Sequence, residues 1–179
     1  MCGIAGIIQL TNDDSCLSRI GAMTSRVAHR GPDGQGEVTI GKVALGHRRL
    51  AIIDLSEQGA QPMSDPSGAF HLTYNGEIYN YIEIKEELAL HGYSFQSDSD
   101  SEVLLKAYIH WGEQCVWHLN GMWSFAVLDL TRNIVFCSRD RFGEKPFYYH
   151  RSYNAFYFAS EIRQILPELN IVKANKGLL

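Results

Sequence analysis

The sequence predicts an α+β fold of antiparallel sheets covered by helices. Three observations carry this. Strands linked by short turns fall in two blocks, and helical stretches sit at the start and between the blocks. No strand–helix–strand rhythm recurs, and no Gly-rich phosphate loop is present, which disfavours a parallel nucleotide-binding sheet.

The elements follow in order. Residues 2–9 alternate weakly and read as a buried strand. Residues 15–28 place Leu17, Ile20, Met23 and Val27 at helical spacing, with Ser15 as N-cap. The segment from His29 to Gly36, with three glycines and a proline in its last six residues, is a tight loop. Residues 37–40 and 43–46 read as strands across a Gly41-Lys42 turn, 50–53 as an extended run and 54–68 as a polar loop. A strand over 69–74 ends at Asn75-Gly76-Glu77, and a helix over 80–91 stops at Gly92. Ser99-Asp100-Ser101-Glu102 has the form of a capping box, opening a helix that runs to Trp111 and stops at Gly112. Strands follow over 123–130, 134–138, 146–150 and 155–159, and Ser160 is placed to cap a last short helix through Ile165.

With 179 residues the chain can bury a real core. Its net charge of −4 and scattered Lys and Arg offer no basic surface for a nucleic acid. No apolar run approaches the roughly 18–20 residues that span a bilayer, and the short opening apolar stretch, with no basic residues before it, reads as a poor signal peptide. A cytoplasmic location is expected, with no membrane partner. Cys2, Cys16, Cys115 and Cys137 are irregularly spaced, with no Cys-x-x-Cys pair and no His at ligand spacing, so no metal is expected. The last three lie beside apolar residues and read as core thiols.

Cys2 is different. Removal of Met1 would make it the N-terminal residue, with a thiol titrating near ~8.5 and an amine near ~8 in one residue, so the amine can serve as the local base. Acyl transfer also needs oxyanion donors. Asn75-Gly76 reads locally either as a hairpin turn or as such donors, and the helical pattern that follows counts against the hairpin. Strand alternation sends Arg48 and Arg49 to opposite faces, so one of them can hold a ligand carboxylate. Asp100 can bind an ammonium or cap the helix that follows it.

Nine strings run in order through nearly the whole chain: MCGIAGII from residue 1, HRGPDGQG from 29, LGHRRLAIIDL from 45, GAQPM from 59, YNGEIYNY from 74, SDSDSEVLLKAY from 97, LNGMWSFAVLD from 119, RDRFGEKPFYY from 139 and FASEI from 158. Together they resemble the glutaminase domain of class II glutamine amidotransferases, in the asparagine synthetase (glutamine-hydrolysing) branch. The resemblance implies a four-layer αββα sandwich of the N-terminal-nucleophile hydrolase type. It implies Cys2 as nucleophile and Asn75 and Gly76 as oxyanion hole. It further implies Arg49 rather than Arg48 on the glutamine α-carboxylate, with Leu50, Ala51, Ile52 and Ile53 lining the pocket. Asp100 rather than Asp98 would take the α-ammonium, with Glu77 beside it.

The implied partners are L-glutamine and a C-terminal synthetase domain, and a homodimer is compatible with this reading. The Ser-Gly-Gly-x-Asp-Ser type loop of that second domain does not occur here. The glutaminase domain is therefore expected over residues 1–166, with 167–179 starting a linker to a synthetase domain the chain lacks. No cofactor is expected in this domain, and ATP and Mg2+ only in the other. Two alternatives stay open: the same domain serving a sugar or carboxylate acceptor, and a non-catalytic glutamine-binding module that keeps Met1.

Overall fold

A computed structural model of the chain describes residues 1–12, 14–51 and 59–169, with backbone only at residues 14 and 15. Among the described residues, nine strands form two antiparallel sheets. The first has the order β2 (Gly34–Ile40), β3 (Val43–Arg49), β1 (Gly3–Gln9), β9 (Ala155–Ala159), β8 (Tyr148–Arg151). The second has the order β4 (Met63–Ser64), β5 (Phe70–Ile78), β6 (Gly121–Asp129), β7 (Ile134–Arg139). The α-helices of the described residues are α1 (Ile20–Ser25), α2 (Tyr81–Leu90), α3 (Asp100–Trp111) and α4 (Ile162–Ile165).

Side-chain alternation turns these elements into layers. On β1, Ala5 and Ile7 pack with Ile20 and Met23 of α1, whereas Ile4 faces the other way and packs with Leu45, Ala126, Leu128 and Phe158 between the sheets. On β6, Phe125 and Val127 join Ile84, Leu88, Leu104 and Tyr108 of α2 and α3. The order is thus helix, sheet, sheet, helix, the four-layer sandwich expected. Five strand positions from Gly3 to Ile7 are buried, because both faces of β1 are covered.

Several local expectations are corrected. The predicted helix over 15–28 is broken into a 3-10 turn (Asp14–Arg19), the short α1, and a second 3-10 turn (Ala28–Arg30). Buried Thr24 bonds back to the Ile20 carbonyl at 2.8 Å, a contact that competes with regular helix continuation, and the apolar spacing survives the change of pitch. The Ser15 cap lies outside the described side chains. β2 begins at Gly34, inside the predicted loop, and the stretch read as a polar loop contains β4. Leu50 and Ala51 belong to no strand, and Ile52 and Ile53 lie outside the described residues.

The helix ends read better. Gly92 (φ +88°) and Gly112 (φ +61°) stop α2 and α3 in backbone conformations that glycine alone adopts without strain. Ser99 caps α3 by accepting from Glu102 N at 3.3 Å, but Glu102 takes the backbone N–H groups of Gln96 and Ser97 instead of closing the box on Ser99. The last helix is capped by Glu161 paired with Gln164, not by Ser160, whose hydroxyl accepts from Ile4 N at 2.9 Å.

Candidate functional site

At one end of the space between the sheets the packing changes from apolar to polar. Val43 and Leu45 of β3 face the opposite sheet, and alternation carries the same face on to His47 and Arg49. On β5, Leu72 and Tyr74 pack toward α3, so Thr73 and Asn75 face β3; the Thr73 hydroxyl donates to the Gly46 carbonyl at 3.1 Å. Cys2 precedes β1 at the same end. Here a cavity of about 110 Å³ is lined by Met1, Cys2, Arg49, Leu50, Ala51, Asn75, Gly76, Glu77 and Asp100, together with His47, Gln61, Tyr74, Ser99, Ser101 and Lys145.

The structure therefore brings together every described residue singled out in the sequence for this site, while Ile52 and Ile53 fall outside the described residues. Arg48 and Asp98 lie elsewhere. Arg48 bonds the Gly31 carbonyl at 3.0 Å and Gln35 at 2.6 Å, and Asp98, 93% exposed, pairs with Lys85.

Cys2 is tied down on both sides. Its carbonyl accepts from Arg30 Nε at 2.8 Å, and Leu50 N lies 3.4 Å from Sγ. Burial pushes the thiol pKa up, while the Leu50 N–H and the nearby Arg49 charge work in the opposite direction. Met1, 58% exposed, occupies the α-nitrogen of Cys2 in a peptide bond.

Asn75-Gly76 is not a hairpin turn. β5 runs straight through it, pairing Asn75 with Ser124 and Gly76 with Trp123. The buried Nδ2 of Asn75 has no partner among the described residues, so a cavity-lining amide is left with donors to spare. Gly76 is required by space. A Cβ there would overlap the Met122 carbonyl and come within 2.5 Å of the Tyr74 ring.

Asp100 opens α3 and is itself held. Its Oδ2 accepts from the Tyr74 hydroxyl at 2.7 Å and from Ile78 N at 3.1 Å. Burial raises its pKa, and these two donors oppose the rise. His47 is fully buried, and desolvation lowers its pKa to about 4, so it is neutral at pH 7. Its Nε2–H donates to the Tyr74 carbonyl at 3.0 Å, leaving Nδ1 without a partner among the described residues.

His47, Gln61, Tyr74 and Lys145 had no role in the sequence reading, although each lies inside one of the nine strings. Lys145 is buried and reaches the cavity from a loop organised by Asp140. That carboxylate accepts from the backbone N–H groups of Trp123, Phe142, Glu144 and Lys145. Burial opposes the Asp140 anion, but the four donors prevail and hold its pKa below the usual range.

Among the described residues no group of three His, Cys, Asp or Glu is placed to hold a metal ion, and no helix is long and apolar enough to cross a membrane.

The comparisons with known proteins agree in direction. "Putative asparagine synthetase [glutamine-hydrolyzing] 2" of Methanocaldococcus jannaschii is 41% identical over 97% of this chain and 36% of its own length. "Asparagine synthetase [glutamine-hydrolyzing] 3" of Bacillus subtilis is 42% identical over 96% of this chain and 28% of its own. The chain thus spans about a third of these relatives. Among solved structures, glutamine phosphoribosylpyrophosphate (PRPP) amidotransferase from B. subtilis, complexed with ADP and GMP, superposes with a TM-score of 0.74 over 92% of this chain and 43% of that one. At 23% identity it speaks for the fold alone. A family model described as "Glutamine amidotransferase domain" matches residues 1–177, and the chain belongs to that family.

Proposed function

We propose that this chain hydrolyses L-glutamine to glutamate and ammonia through a thioester on Cys2. The observation that carries the reading is the convergence of Cys2, Arg49, Asn75, Gly76 and Asp100 on one cavity from four separate parts of the fold.

Once Met1 is removed, the free amine of Cys2 takes the thiol proton. Sγ attacks the side-chain amide carbon, a C–S bond forms, and the carbonyl electrons move onto oxygen. The Asn75 amide and the Gly76 N–H stabilise that oxyanion, each such donor supplying about 3–4 kcal/mol of barrier lowering. The intermediate collapses as the C–N bond breaks, and the Cys2 ammonium gives its proton to the departing ammonia. Water then attacks the thioester, the amine accepts a proton from it, and the C–S bond breaks to release glutamate and restore the thiol.

Arg49 binds the glutamine α-carboxylate as a planar bidentate donor, Asp100 with Glu77 binds the α-ammonium, and Leu50 to Ile53 line the pocket. Charges of opposite sign at fixed positions select the zwitterionic head, and their distance from Cys2 selects the length of the side chain.

In the longer relatives' setting, the ammonia is taken up in an ATP-dependent amidation of aspartate to asparagine by a following synthetase portion. This chain supplies the glutaminase domain over residues 1–166, acting in the cytoplasm. Hydrolysis itself needs no cofactor, and the ATP and Mg2+ belong to the synthetase portion.

Mass spectrometry of the intact protein alongside a glutamate-release assay tests the reading. Chains lacking Met1 are expected to turn over glutamine and chains retaining it are not. Equal turnover by both forms would reject Cys2 as an amine-activated nucleophile.

A further inference from the structure

Tyr74 touches three of the segments from which the cavity is built, each through a different group. Its hydroxyl donates to Asp100 Oδ2 at 2.7 Å, at the start of α3. Its carbonyl accepts from His47 Nε2 at 3.0 Å, two residues before Arg49 on β3. Its N–H donates to Gln61 Oε1 at 2.6 Å, and Gln61 Nε2 in turn donates to Ser101 Oγ at 3.1 Å, beside Asp100. The ring is 3% exposed, packed in the core between the second sheet and α3, with Cε2 filling the space that a side chain at Gly76 would need.

These contacts leave the ring no freedom to swing and give the hydroxyl one acceptor. Tyr74 and Asn75 are neighbours on a strand, so they face opposite sides of the sheet: one toward Asp100, the other toward the space beside Cys2. The distance between the carboxylate and the amide is thereby set through a single strand residue.

We propose that Tyr74 is a positioning residue for glutamine, its hydroxyl aiming the Asp100 carboxylate at the substrate's α-ammonium. This rests on the assignment of Asp100 to the ammonium made above. A fixed carboxylate binds an ammonium without first losing rotamer freedom, and a charged-group hydrogen bond of this kind accounts for roughly a tenfold difference in affinity.

The test compares wild type, Tyr74→Phe, Asp100→Asn and the double variant, each with Met1 removed. Two amides are used: glutamine, and 5-amino-5-oxopentanoate, which is glutamine without its α-ammonium. Tyr74→Phe is expected to raise the glutamine KM about tenfold with kcat changed less than about threefold, and to leave the KM of the des-amino amide unchanged. In the Asp100→Asn background it should add nothing. Continued turnover of the des-amino amide shows that a variant is folded. If Asp100→Asn discriminates between the two amides and Tyr74→Phe does not, the ammonium assignment stands and the role of Tyr74 is overturned. If Asp100→Asn affects both amides alike, the assignment fails and the role of Tyr74 with it.

Discussion

Arg48 and Arg49 are adjacent on one strand and point into different environments: Arg48 holds the Gly31 carbonyl and Gln35, while Arg49 faces the cavity that contains Cys2. Loss of a bidentate, charge-assisted contact costs about 2–3 kcal/mol, so Arg49→Ala should raise the glutamine KM by roughly 30- to 150-fold. Arg48→Ala should change KM by less than about threefold and lower stability by about 1 kcal/mol through the lost loop contacts. Steady-state kinetics of the two variants decide it, and a reversed order would mean that Arg48 binds the substrate.

The four cysteines should differ sharply in reactivity. Burial pushes Cys115 and Cys137 up to about 12, and Cys16 is buried in the α1 core, whereas Cys2 lines the cavity beside Leu50 N. A glutamine-like electrophile should label Cys2 alone, read by peptide mass spectrometry, and Cys2→Ala should remove both labelling and turnover. Label on any other cysteine at comparable rate would count against the site.

Gly76→Ala should fail for a steric reason. The added methyl meets the Met122 carbonyl, the Tyr74 ring and the Trp123 backbone. Overpacking of this sort costs about 1–3 kcal/mol, and displacing the Gly76 N–H from a developing oxyanion should lower kcat by about 10²–10³-fold. Urea melts and kcat measured on the same sample separate the two effects.

His47 makes stability pH-dependent in a definite direction. Its folded pKa of about 4 lies below the ordinary 6.5, so between those values the unfolded chain binds more protons. Its contribution is complete above about pH 6.5 and is lost as pH falls toward 4. Between pH 7 and pH 5 the wild type should lose roughly 2 kcal/mol from this group, a loss that His47→Gln should not show. Urea midpoints at the two pH values measure the difference, and parallel losses in both proteins would assign the pH effect to other groups.

Much of the fold was legible because its signals are local. Gly92, Gly112 and Ser99 mark helix ends, and strand alternation separates the two arginines. Asn75-Gly76 was ambiguous for a physical reason: the dipeptide favours a turn, and only pairing with Ser124 and Trp123, far along the chain, keeps it extended. Tyr74, Gln61 and His47 were illegible as site residues for the same reason. Each earns its place by a contact to a distant segment, such as Tyr74 to Asp100, 26 residues away, and no short-range pattern encodes that.

The bond from Arg30 to the Cys2 carbonyl bears on what excision of the first residue does. Newly cut chain ends ordinarily fray. Here the very next peptide is clamped from outside its own strand, and that strand lies between two neighbours, β3 and β9. Cleavage would thus leave a new terminus whose first carbonyl is already held by Arg30 and whose sulfur already lies beside Leu50 N, both contacts belonging to the fold as it stands before the cut.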